Sequence, residues 1–118
     1  MKNSVRFVGA ELWAWARGRR RRLVVGGRSM LPTLEPGDFV LIDPTPGLVS
    51  DGSIVVAHHP EDRGLLVVKR CRIVAEGFWL TSDNQGEGSD SARFGPVAAD
   101  AILGRVTLLL DHPRRRLE

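Results

Sequence analysis

Apolar residues recur at helical spacing near the start of the chain and at strand spacing after it. Val5, Val8, Leu12 and Trp15 fall on one side of a helix over residues 4–17, with Trp13 near its border. That stripe predicts a helix docked on the domain's own core; a membrane surface or a partner is the alternative use. From residue 23 onward the apolar runs are short and end in Gly, Pro and Asp, which predicts strands joined by turns. Leu23–Val25 ends at Gly26-Gly27, and Glu35-Pro36-Gly37-Asp38 turns into Phe39–Ile42, followed by a loop at Pro44–Gly47. Ser53–Ala57 and the run Leu65–Val74 read as a hairpin turned by His59–Gly64. Ala75-Glu76-Gly77 turns into Phe78–Thr81, and Ile102–Leu110 is the last strand. Ser82–Arg93 is polar, aperiodic and long enough to suspect a functional loop. The expected fold is mainly β. It is one small domain, with a helix and basic run over 1–22, a body over 23–110 and a basic tail over 111–118.

Alternation along Leu65–Val74 puts Leu65, Val67, Lys69, Cys71 and Ile73 on one face. Leu66, Val68, Arg70, Arg72 and Val74 take the other. This lysine is unusual in its chain. Of seventeen Lys and Arg residues only Lys2 and Lys69 are lysine, and Lys69 lies among apolar neighbours. Arginine stays protonated in proteins, whereas a desolvated lysine gives up its proton, so the choice points to an amine that works neutral. Such an amine is a general base in search of a nucleophile.

Ser29 is the candidate. It stands in Gly26-Gly27-Arg28-Ser29-Met30-Leu31-Pro32, just past a predicted strand, where two glycines let the backbone turn and approach a substrate closely. A serine hydroxyl attacks only when a base takes its proton. Lysine titrates at about 10.4 and a useful base at roughly 7 to 8, so burial must supply on the order of 4 kcal/mol. Spacing alone leaves the plainer readings open: a lysine snorkelling at a sheet edge and a simple Gly-Arg-Ser turn.

The charge adds little to this picture. The net charge is +3, and the excess sits in Arg17–Arg22, broken by Gly18, and in Arg114–Arg116. Such runs read as solvated flanks, or as contacts for phosphates, anionic lipid or an acidic partner. Cys71 is the one cysteine, expected as a small buried hydrophobe in a reducing compartment. Glu11 interrupts the apolar stretch Phe7–Ala16, which is too short to span a bilayer, so a cytoplasmic protein is expected. A triad through His58, His59 or His112 and a metal site at His58, His59 or Cys71 find no supporting spacing. Phe78 and Trp79 read as strand core and rim, with no interleaving of aromatics and arginines for nucleic acid. Asp38 reads as a structural turn residue.

Several ordered blocks between about residues 24 and 107 resemble the signal peptidase I superfamily of Ser/Lys proteases. They are Ser29–Leu34, Pro36-Gly37-Asp38 before Val40–Ile42, Lys69-Arg70, Asp83-Asn84, Asp90-Ser91, Phe94–Val97 and Gly104-Arg105-Val106. The resemblance implies a small signal-peptidase-like or repressor-cleavage-domain-like β fold, with Ser29 as nucleophile, Lys69 as general base and no cofactor or metal. It also implies that Met30 and Pro32 shape the active-site turn and that Asp90 and Ser91 support the lysine and cleft. Two positions depart from the pattern. Gly88, with Ser89 beside it, stands where members often carry a serine that holds the lysine, and Ala92 precedes Arg93 where arginine commonly follows Asp-Ser directly. Gly27 replaces a hydroxyl that often helps bind the oxyanion, leaving backbone amides for that task.

The short chain is most similar to the branch of nickel-type superoxide dismutase maturation proteases. That likeness implies a precursor protein as partner, no nucleic acid, and removal of the precursor's N-terminal extension. The rivals are processing of exported proteins at a membrane surface, a self-cleaving repressor and a non-catalytic basic binding module. The repressor would require a DNA-binding domain ahead of Ser29 and an Ala-Gly or Cys-Gly dipeptide to cut, and the sequence offers neither.

Overall fold

The computed structural model describes residues 8–45 and 47–110. Lys2, Val5, His112, Arg114–Arg116 and the side chain of Val8 lie outside the described residues. Helix α1 (Val8–Ala16) leads into strands β1 (Arg21–Val24), β2 (Phe39–Asp43), β3 (Ile54–His59), β4 (Asp62–Val74), β5 (Gly77–Thr81) and β6 (Ile102–Leu110). A helical turn α2 (Ser91–Phe94) and a 3-10 turn, Ala99–Ala101, lie between β5 and β6. The strands form one antiparallel sheet in the order β1-β2-β6-β3-β4-β5. The mainly β expectation holds.

β3 runs through the middle of this sheet, and its apolar stretch is buried on both sides. Ile54 and Val56 join Val25, Met30, Leu34, Val40, Ile42 and Val106 in one cluster. Val55 and Ala57 join Cys71, Leu80, Val97 and Ala101 in the other. Alternation along one strand thus feeds two cores. Gly104 lets β6 lie close to β2: a Cβ there would press on Ile42 Cγ2 and sit 2.6 Å from the Asp43 carbonyl oxygen.

Three expectations need correction. The α1 stripe does not dock on the core, because Leu12 and Trp15 are exposed while Glu11 and Ala14 are buried. Glu11 turns inward because Arg20 donates to it from Nε at 2.8 Å and Nη2 at 3.2 Å, and Thr107 Oγ1 also donates to it. The arginine run is not a loose flank: Arg21 and Arg22 open β1, pairing with Ile42 and Leu41, and Arg20 also bridges to Asp43 at 3.3 Å. Burial pushes the Asp43 carboxyl up, but hydrogen bonds from Thr45 and the charges of Arg20 and Arg105 hold it below its ordinary value. Lastly, the end of the Ser82–Arg93 loop coils into α2, capped by Asp90 Oδ1 accepting from the Ala92 amide at 3.0 Å.

Candidate active site

Forty residues separate Ser29 from Lys69, and the segment after β5 draws them together. The chain leaves β1 in a wide turn closed by Gly37 N–H on the Val25 carbonyl at 2.7 Å and plugged by Met30 and Leu34, each 1% exposed. Asn84 then grips the turn twice. Its backbone N–H donates to the Ser29 carbonyl at 2.8 Å, and its side-chain amide donates to the Arg28 carbonyl at 3.0 Å. Asp83 supplies a third hold, accepting from Thr33 Oγ1 at 2.6 Å while Arg70 forks onto it at 2.6 and 3.2 Å. Burial raises the Asp83 carboxyl, but the hydrogen bonds from Arg70 and Thr33 and the Arg70 charge outweigh it and hold the group below its ordinary value. Since Arg70 is the neighbour of Lys69, one carboxylate fixes the serine turn against the lysine strand.

Lys69 is 3% exposed. It pairs with Val55 on β3 and shares its strand face with Cys71, which is 1% exposed. The outer members of the expected apolar face do not enclose it, for Leu65 and Ile73 are about half exposed. Its cover comes instead from the loop after β5. The amine donates to Ser82 Oγ at 2.9 Å, and Ser82 Oγ donates on to the Glu87 carbonyl at 3.3 Å. A Cβ placed on Gly88 would lie 3.6 Å from Lys69 Nζ and 3.7 Å from Ser29 Cβ, so the serine and the amine flank the same glycine. Burial pushes the amine below the ordinary lysine value, against the charge of Asp90, which raises it.

The other sequence candidates are spread around this centre. Gly27, Met30 and Ser89 line a cavity of about 460 Å³ together with Ser29, Lys69 and Gly88. Asp90 and Ser91 act through backbone: Asp90 Oδ2 accepts from the Ser82 amide at 3.0 Å, and Ser91 Oγ accepts from the Leu80 amide at 2.8 Å. They therefore set the end of β5, where Ser82 meets the lysine. Pro32 is exposed and outside the cavity lining, and Arg93 reaches away to Glu61 at 3.3 Å.

Two residues that line or order the site escaped the sequence reading. Ser82 holds the lysine from the far side of the loop, although a signal for it was present: the β4–β5 register pairs Arg70 with Thr81, so one further step sets Lys69 against Ser82. His59, which the sequence offers as a triad member or a ligand, lines the cavity and is 6% exposed. Its Nδ1 accepts from the Glu61 amide at 3.0 Å, which leaves the proton on Nε2, facing Ser89 Oγ at 3.4 Å. Its ring meets Phe94 edge-on at 5.1 Å. Cys71 is packed in the core, where burial and the nearby Asp51 charge push its thiol up to about 11.

The cavity also meets an open strand edge. Along β4, β5 pairs only with Arg70–Val74, so among the described residues no strand covers that edge of β4 at Leu65–Val68, which lines the cavity. Val25–Arg28 lines it too. A serine, a buried amine and a groove between backbone segments are parts that peptide-bond hydrolysis through a serine nucleophile can use. The chain belongs to the peptidase S24-like family, whose model matches residues 11–107. It is thereby a member of a peptidase family. No curated protein matches the chain.

Proposed function

We propose that this protein is a serine endopeptidase in which Ser29 attacks and Lys69 is the general base. The observation that carries this reading is the burial of Lys69 beside the turn that presents Ser29, with Gly88 packed against both. Neutral Lys69 takes the Ser29 proton as Oγ bonds to the scissile carbonyl carbon, and backbone amides at the glycine-rich turn stabilise the oxyanion. The lysinium then returns that proton to the departing amine as the C–N bond breaks. Water, deprotonated by the same amine, hydrolyses the acyl-enzyme and restores Ser29. Ser82 keeps the amine pointed into the cavity throughout.

The substrate lies extended between Val25–Arg28 and Leu65–Val68, pairing through main-chain hydrogen bonds with the open edge of β4. Its identity rests on the resemblance described above. We assign the precursor of nickel-type superoxide dismutase, cut once to free its mature N-terminus in the cytoplasm. Mixing the purified chain with that precursor and reading the product's N-terminus by mass spectrometry tests both parts. Cleavage lost in Ser29→Ala and in Lys69→Arg supports the chemistry. Cleavage that persists in either variant contradicts it, and an intact precursor beside cleavage of other peptides contradicts the substrate alone.

A further inference from the structure

Helix α1 is built inside out. Its one charged residue, Glu11, is 1% exposed and tied to Arg20 and Thr107, whereas Leu12, Trp13 and Trp15 are 37%, 60% and 39% exposed. A helix that rests on a domain in water does the opposite, burying its large apolar side chains and turning charge outward. The Glu11 anchor is what fixes the orientation. Arg20 is itself tied to Asp43, so rotating the tryptophans inward would pull a carboxylate out of a connected ionic group and leave that group incomplete.

The segment that carries the tryptophans is one-signed at its surface. Arg17 and Arg19 are exposed, and over residues 9–22 the sole carboxylate is the buried Glu11. The Arg17 guanidinium stands over the Trp13 ring, 5.2 Å from its centroid. Indole rings beside guanidinium groups fit the boundary between acyl chains and anionic headgroups, where the rings sit at headgroup depth and arginine forks onto phosphate oxygens. No helix among the described residues is long and apolar enough to cross a membrane, so contact through this face lies flat on the surface.

We infer that the Leu12–Trp13–Trp15 face of α1, with Arg17 and Arg19 beyond its end, docks the protein on an anionic lipid surface. This does not rest on the peptidase reading, since Ser29 and Lys69 take no part in it. The test is co-sedimentation of the full chain with vesicles of phosphatidylcholine containing phosphatidylglycerol, against vesicles of phosphatidylcholine alone. Wild-type protein pellets with the anionic vesicles at low salt and is released as salt rises, while neutral vesicles hold it about tenfold less. Trp13→Ser with Trp15→Ser lowers anionic binding by about tenfold while circular dichroism shows the chain still folded. Arg17→Glu with Arg19→Glu lowers it similarly and removes its salt dependence. Wild-type protein that stays in the supernatant overturns the inference, as does a tryptophan double variant that pellets like wild type. A stable dimer without vesicle binding assigns the face to a second copy and also overturns it.

Discussion

Lys69 donates a 2.9 Å hydrogen bond to Ser82, the residue that faces it one step beyond the last pair of the β4–β5 ladder. Hairpin register therefore orients the amine, and the hairpin is a local structure. Ser82→Ala leaves the amine without that acceptor in a closed site. We expect kcat on a peptide substrate to fall about tenfold to a hundredfold, with a stability loss of about 1–3 kcal/mol. Ser82→Thr, which keeps the hydroxyl, recovers most of both, as steady-state kinetics and urea melts will show.

The pH dependence of stability follows from the lowered Lys69 value. Below that value both folded and unfolded chains carry the proton, and the folded state bears the full cost of a buried charge. Between it and the ordinary value of 10.5 the folded chain has released its proton and the unfolded chain has not, so stability rises with pH. Lys69→Met removes the charge while keeping an unbranched chain. At pH 7 this variant is more stable than wild type by about 1 kcal/mol, and its advantage shrinks as pH rises through the lysine range. Denaturant melts of both proteins across pH check the sign.

Asp83 joins Thr33 to Arg70 and so joins the two halves of the site. Asp83→Ala strands a half-buried guanidinium and frees the serine turn, costing about 2 kcal/mol. Activity falls further than stability accounts for. Because the carboxyl is held below its ordinary value, its contribution is present above the unfolded value and is lost as pH falls through the folded one. Acid denaturation of wild type and variant should converge at the lowest pH.

Gly88 has φ +69 and packs beside both Ser29 and Lys69. Gly88→Ala brings a left-handed alanine costing about 1–2 kcal/mol and sets a methyl group against the proposed nucleophile and base, 3.7 Å from Ser29 Cβ and 3.6 Å from Lys69 Nζ. Crystallography of the variant with parallel kinetics will show a folded protein whose activity is reduced about a hundredfold or more.

Much of the sheet was legible because its turns are written locally. Glu35–Asp38 and Ala75–Gly77 bracket strands where the structure has them, and Ile102–Leu110 coincides with β6. Lys69 stood out through residue choice, the one internal lysine among arginines, and Ser29 through the glycines before it. What escaped the sequence depends on partners far along the chain. Glu11 is buried because Thr107 and Arg20 meet it, and no periodicity within α1 reveals them. The enclosure of Lys69 comes from Ser82 and Gly88 instead of from Leu65 and Ile73, since β5 and the following loop cover only part of β4. Ser82 itself was within reach, for extending the hairpin register by one residue identifies it.

Time-resolved intact-mass detection of Ser29 acylation by an active-site-directed acylating probe, followed across pH in wild type and Lys69→Arg, tests the central claim most directly. The expected result is modification at Ser29 alone, a rate that climbs with pH along a limb lying below the ordinary lysine value, and no modification of Lys69→Arg. Labelling of Lys69→Arg at the wild-type rate, or a wild-type rate indifferent to pH, would contradict it.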